Sequence, residues 1–318
     1  MKVLVTGGAG FIGSNFILHL LSEHPDFKVV NLDNLTYASD LRSLESVSKD
    51  KRYSFVKGDI CDAGAVEKAV DGCDWIVNFA AETHVDNSIK SSDEFVKTNV
   101  FGTLVLLKAA LRHGVSKFMH ISTDEVYGSK KSGVFNETDV LDPSNPYSAS
   151  KAAAEHLVFS YHKTFGLPAV VSRSSNNFGP FQHPEKLVPK IITYALGNRK
   201  IPVYGTGLNR RDWLFVGDNC RGIETVLLKG KTGEAYNLGG GNDYSNLFMV
   251  KSILKKMGKP ESLIEFVKDR PGHDFRYALG TEKMRGLGWK PLMDFGEALD
   301  HTVDWYGKNE WWWTSKKS

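Results

Sequence analysis

Short apolar runs alternate with helix-periodic segments through the first half of the chain, and no other feature restricts the fold so far. KVLVTG (2–7), VVNLD (29–33), YSFVKGD (53–59), WIVNFA (75–80) and KFMHIS (117–122) read as strands. FIGSNFILHLLSEH (11–24) and FVKTNVFGTLVLLKAALRHG (95–114) carry apolar residues at helical spacing. Strands joined through helices run parallel, and a parallel sheet must be covered on both faces. The expected fold class is α/β, a doubly wound parallel sheet.

The second half is less regular. It holds AVVSRSSNNFGP (169–180), IPVYGTGLNRRDW (201–213) and AYNLGGG (235–241), and helical patterns return at 245–258 and 295–307. We read it as a smaller mixed α/β C-terminal domain closing over the carboxyl edge of the sheet. The expected division is 1–175 and 176–318, with a return to the first domain near 213–240. A chain of 318 residues suits one large domain or two intimate ones. The tail WWWTSKK (311–317) is expected to pack on the body or on a subunit.

Composition removes several classes of function. A net charge of +3 is too small to mark a nucleic-acid or membrane-surface binder. Cys61, Cys73 and Cys220 are few and odd in number, which suits a reducing compartment rather than a disulfide framework. No His, Cys, Asp or Glu cluster has metal-ligand spacing, so no metal is expected. The opening MKVLVTGGAGFIG breaks into glycines where a signal peptide needs an apolar run, and no spanning stretch occurs elsewhere. A cytoplasmic protein is expected.

Gly7, Gly10 and Gly13 follow a strand and open a helix. Glycines there permit a tight turn and close backbone approach to a pyrophosphate, and the helix N-terminus attracts its charge. Asp33 ends the second strand 20 residues after Gly13, where an acid hydrogen-bonds ribose hydroxyls. This is the pattern of a Rossmann dinucleotide site. The acid would repel a 2′-phosphate, so the cofactor expected is NAD.

HISTDEVYG (120–128) leaves an apolar strand and presents Thr123, Asp124 and Glu125 in succession. A solvated turn is the plain alternative. In PYSASKAAAEHLVFSYHK (146–163), Tyr147 and Lys151 stand four apart, on one helix face. An ammonium beside a phenol favours the phenolate and lowers its pKa, as a general base for an alcohol requires.

TGGAGFIG (6–13), AAETHVD (80–86), the strand ending in Thr123 and YSASK (147–151) together resemble the extended short-chain dehydrogenase/reductases that act on nucleotide sugars. The resemblance covers nearly the whole chain. Thr123-Asp124-Glu125 narrows it to the dTDP-glucose 4,6-dehydratases, with support from 175–189, 210–218 and 267–278. Sugar epimerases of this superfamily share the loop and the Tyr/Lys pair but typically lack the Asp-Glu pair. The resemblance implies that Tyr147 removes the C4 hydroxyl proton while hydride passes to NAD, with Thr123 bonded to that oxygen. Glu125 is then the base at C5 and Asp124 the acid at the C6 hydroxyl, which requires Asp124 to hold a proton at neutral pH.

Further contacts follow from the resemblance. Phe11 and Ile12 would lie along the NAD pyrophosphate, Asp33, Asn34, Leu35 and Thr36 around the adenosine ribose, and Asp59 and Ile60 at the adenine. Ala80, Ala81, Glu82, Thr83, His84 and Thr98 would line the far side, with Asn177 at the nicotinamide. Thr83 and Asn176 would reach the sugar. Lys186, Leu187, Pro202, Val203, Tyr204, Arg211, Asn246 and Asp269, Arg270, Pro271, Gly272, His273 would bind the dTDP part. Arg211 also stands on its own chemistry, since a pyrophosphate suits a planar, always-charged fork. Its alternative is a surface salt bridge to Asp212 or Asp218, and His84 and His273 have a structural alternative. Asn34 and Asn87 depart from the lysine and arginine frequent at those places.

A CDP- or UDP-linked dehydratase, a 4-epimerase and a dinucleotide-binding redox sensor are the competing readings. The helices at 95–113 and 147–165 carry broad apolar stripes, and in this family such helices pair into a homodimer core. The stripes could equally cover the sheet.

Overall fold

In the computed structural model, which describes residues 1–269 and 274–316, the alternation takes shape in order. The first half runs β1 (Lys2–Thr6), α1 (Phe11–Glu23), β2 (Lys28–Asp33), β3 (Tyr53–Lys57), α2 (Ala63–Val70), β4 (Trp75–Asn78), α3 (Val85–Lys90), α4 (Asp93–Phe95), α5 (Thr103–Arg112) and β5 (Lys117–Thr123). Next come α6 (Pro146–Phe165), β6 (Ala169–Ser174), β7 (Asn176–Phe178), α7 (Leu187–Leu196), β8 (Ile201–Tyr204), β9 (Arg210–Phe215), α8 (Val216–Lys229) and β10 (Ala235–Leu238). The chain continues through β11 (Asp243–Ser245), α9 (Asn246–Lys256), β12 (Ile264–Val267), α10 (Glu282–Gly286), α11 (Phe295–Lys308) and α12 (Glu310–Thr314).

Seven strands form one parallel sheet in the order β10-β6-β5-β4-β1-β2-β3. Successive strand residues feed opposite cores. Val3 and Val5 pack with Phe16, Ile17 and Leu20 of α1 and with Ile223 and Leu227 of α8. Leu4 packs with Val66 and Ala69 of α2 and with Leu106, Leu107 and Ala110 of α5. Helices on both faces make the sheet doubly wound. Strand order reverses between β1 and β4, which opens a crevice at the carboxyl edge.

The expected single helix over 95–114 is interrupted. Between α4 and α5 the segment Val96–Gly102 is a π-helix. The widened turn is tied to Asn99, whose side-chain oxygen accepts from the Glu82 amide (2.8 Å) and whose side-chain nitrogen donates to Ser150 Oγ (2.8 Å). One polar side chain thus joins the loop after β4 to α6.

A smaller lobe holds β7, β9 and β11 in one sheet and the β8–β12 pair in another. Its core gathers Ile191 and Ile192 of α7, Trp213, Met249 and Ile253 of α9, and Leu299 and Tyr306 of α11. The tail closes on this core. Trp312 is buried, and its indole donates to the Gln182 carbonyl (3.1 Å), which also accepts from the Tyr306 hydroxyl (2.5 Å). Lys316 Nζ lies 2.5 Å from the Asp40 carboxylate, and the Arg42 guanidinium covers the exposed Trp311 ring at 5.2 Å. Among the described residues no helix is long and apolar enough to cross a membrane.

Candidate active site

The glycine loop owes its shape to missing side chains. Gly7 has φ +68°, and a Cβ there would meet the Ala80 nitrogen at 2.6 Å. A Cβ on Gly13 would fall 2.3 Å from the Gly7 carbonyl oxygen. These absences let α1 start against the ends of β1 and β4. Asp33, buried at the end of β2, accepts from the Ala9 amide (2.9 Å) and the Leu35 amide (2.8 Å). Leu35 turns the chain there with φ +56°. Asn34, in the place where lysine is frequent, donates to Asp59 (3.3 Å).

These groups border a cavity of about 400 Å³ that crosses the strand-order reversal. Every residue expected along the cofactor lines it except Leu35 and His84. Along its wall Ser122 Oγ, Ser175 Oγ and Asn177 Oδ1 are buried without a hydrogen-bond partner among the described residues. Such atoms cost about 1–3 kcal/mol each unless a ligand satisfies them. Glycines at one end and polar acceptors and hydroxyls at the other fit a dinucleotide.

Thr123, Asp124, Glu125, Tyr147 and Lys151 share the same cavity. Thr123 ends β5 and caps the 3-10 turn Asp124–Tyr127, accepting from the Glu125 amide at 3.2 Å and donating to Asp124 Oδ1 at 3.2 Å. The solvated turn is ruled out for Asp124, which is 1% exposed and whose Oδ2 has no partner among the described residues. Burial first, then Glu125 and Asp212, push its carboxyl well above the ordinary range, with Arg211 and Thr123 opposing. Glu125 beside it is half-buried.

α6 is placed firmly. Asn145 and Ser148 form a capping box, Pro146 opens the first turn and Gly166 ends the helix in the left-handed region. Tyr147 therefore sits in the first turn, 8% exposed. Lys151 Nζ donates to the Ile121 carbonyl at 2.6 Å and lies 3.4 Å from His120 Nε2. Burial lowers it to about 8, with Glu155 opposing. The expectation that Lys151 lowers the Tyr147 pKa is corrected here. Burial, then Glu125, and also Asp124, push the phenol up, and only a hydrogen bond with Thr123 opposes them. The ammonium is turned toward a strand carbonyl, and burial, with Glu125 next in weight, sets the direction of the phenol's shift.

Of the residues expected at the substrate, Thr83, Asn176 and Lys186 line the cavity, and Asn176 Oδ1 and Asn246 Oδ1 are buried without partners among the described residues. Arg211 is buried on β9, donates to the carbonyls of Arg210 (2.7 Å) and Asp274 (3.1 Å) and covers the Tyr277 ring at 4.5 Å. Its alternative partners are engaged elsewhere: Asp218 pairs with Arg221 (2.6 Å) and Asp212 accepts from the Asn242 amide (2.9 Å). His84 caps α3, its Nδ1 accepting from the Asn87 amide at 3.4 Å, with Glu185 3.7 Å from Nε2. Leu187, Pro202, Val203, Tyr204 and Asp269 lie in the smaller lobe and do not line the cavity. The Val203 side chain is committed to that lobe's core. Arg270, Pro271, Gly272 and His273 lie outside the described residues.

Sequence reasoning missed Ser122, Ser174, Ser175, Gln182, His183 and Glu185, which also line the cavity. Most stand within or beside stretches that were quoted, and their polarity next to buried strands was the available signal.

A family model for GDP-mannose 4,6 dehydratase matches residues 4–302. The chain is 49% identical over 323 residues to a dTDP-glucose 4,6-dehydratase of Streptomyces niveus, covering 100% of this chain and 96% of that one. Its structure matches the dTDP-glucose 4,6-dehydratase DesIV of Streptomyces venezuelae, solved with NAD and TYD bound, at TM-score 0.98 and 46% identity with full coverage of both chains. A UDP-glucose 4-epimerase of Thermus thermophilus, solved with NAD, matches at TM-score 0.89 and 31% identity over 96% of this chain and 99% of that one. With a loop, an acid pair and a Tyr/Lys helix laid out around one cavity, and full-length likeness at this level, the chain belongs to the dTDP-glucose 4,6-dehydratases of the extended short-chain dehydrogenase/reductase family.

Proposed function

We propose that the chain is an NAD-dependent hydro-lyase that converts dTDP-glucose to dTDP-4-keto-6-deoxyglucose. NAD, held by the glycine loop and Asp33, would supply the hydride acceptor for C4 and the donor for C6. Tyr147 takes the C4 hydroxyl proton while Thr123 bonds the same oxygen. The 4-ketone acidifies the C5 proton, which Glu125 removes and returns to that carbon at the end of the cycle. Asp124 protonates the departing C6 hydroxyl, and the proton taken at C4 makes good its loss. Arg211 and Asn246 are the candidates for the nucleotide diphosphate.

One observation carries this reading. Asp124 is fully buried, has one oxygen without a partner, and adjoins Glu125 on the wall that holds Tyr147. Burial raises the pKa of a carboxyl so placed and favours the protonated form a general acid needs, and an exchange of configuration at C4 has no use for it. The test is to incubate the purified protein with dTDP-, CDP- and UDP-glucose and weigh the products. A dTDP product lighter by one water is expected; a product of unchanged mass would replace the dehydratase with an epimerase.

The protein is also read as a cytoplasmic homodimer. Three cysteines without a disulfide support a reducing compartment. The exposed Val96 and Phe101 adjoin Leu157 of α6 in one apolar patch, which supports pairing with a second copy.

A further inference from the structure

A buried ion pair outside the cavity lining lies directly behind the two catalytic segments. Glu155 stands eight residues after Tyr147 and four after Lys151 on α6, so the three share a helix face. It is 0% exposed, and Arg173 of β6 donates to its Oε2 from Nη2 at 2.7 Å and from Nε at 3.0 Å. The same guanidinium donates from Nη1 to the Tyr127 hydroxyl at 2.6 Å and lies 4.8 Å above the Tyr127 ring. Tyr127 closes the 3-10 turn that begins with Asp124. Its hydroxyl donates onward to Asn237 on β10 at 2.8 Å, and its ring stacks on Phe135 at 4.9 Å. One planar cation therefore spans the helix that carries Tyr147 and the turn that carries Asp124 and Glu125.

A buried pair of this kind contributes little net stability, because desolvation offsets attraction; fixing one arrangement among several is the better-supported use. We infer that Arg173, held by Glu155, and the Tyr127 hydroxyl are positioning residues that set the acid pair in register with Tyr147. The inference rests on the dehydratase reading. Its physical content is that oxidation at C4 needs only Tyr147 and Thr123, whereas loss of water needs Asp124 and Glu125 at the right depth beside the same sugar. Loosening the tie should slow the second event and spare the first.

Tyr127→Phe keeps the ring between Phe135 and Arg173 and removes only the hydroxyl. Arg173→Lys keeps a charge for Glu155 and removes the fork that reaches Tyr127. Both variants, loaded with NAD and mixed with dTDP-glucose, are followed by reduced-nicotinamide absorbance, product mass and thermal melting. A misplacement of about 1 Å costs up to about a hundredfold, so dehydrated product should form about tenfold to a hundredfold more slowly. Reduced nicotinamide should then accumulate, with first-turnover oxidation and melting near wild type. Equal losses in oxidation and dehydration, or no loss in either, would overturn the inference, and Tyr127→Phe decides alone if Arg173→Lys does not fold. A wild-type product of unchanged mass would instead sink the dehydratase reading beneath it.

Discussion

Asp124 and Glu125 are neighbours in sequence to which we propose opposite tasks, and what separates them is burial. The Asp124 carboxyl is held above its ordinary pKa, so the folded chain binds that proton more tightly than the unfolded chain. The stability this lends is present below the ordinary carboxylate pKa of about 3.9 and is lost as pH rises through the raised value. Asp124→Asn keeps the shape and cannot ionise. Its melting temperature should therefore gain on wild type as pH rises from 4 toward 8, while water loss from dTDP-glucose falls at least about a hundredfold and reduced nicotinamide builds up. Glu125→Gln should give the same chemical arrest. A variant that tracks the wild-type melting curve at every pH would show that the carboxyl ionises as it does in solvent. The sequence disclosed the residues and not their environment: the triplet was legible, but the sign of the Tyr147 shift was not. Proximity in a helix says nothing about where an ammonium points, and Lys151 points at Ile121.

Elements that bury apolar residues on both faces were legible, and those set by one polar contact were not. The strands at 2–7, 29–33 and 117–122 announce themselves because a central parallel strand has no solvent face. The π-helical turn at Val96–Gly102 is silent in the pattern, since its apolar residues fit a regular helix equally well; its signal was the lone Asn99 in an apolar stripe. β7 and β11 are three residues each, too short for any period, and take their form from neighbours. Gly13→Ala tests the element that was read best. The added Cβ meets the Gly7 carbonyl, so α1 must retreat from β1, at a cost of about 1–3 kcal/mol. Melting should drop by several degrees, and the protein should lose NAD on gel filtration that wild type retains. Retention equal to wild type would mean the loop does not set the cofactor's approach.

At the scale of the molecule, the sheet, its two helical layers and the smaller lobe over its carboxyl edge meet around one cavity. The apolar patch of Val96, Val100, Phe101 and Leu104 faces outward from the helix that carries Asn99 inward. Phe101→Glu should convert a dimer to a monomer in light scattering and lower activity per chain severalfold; a wild-type monomer would remove the homodimer reading. The carboxyl terminus has a further consequence. Trp312 grips Gln182 on one rim of the cavity, and Lys316 grips Asp40 beside the other. The segment from Trp312 to Lys316 thus bridges two walls that are far apart in sequence, as a clasp joins the ends of a belt. Cutting either grip should free one wall to move against the other, so the far end of the chain steadies the mouth of a cavity built mostly from its first half.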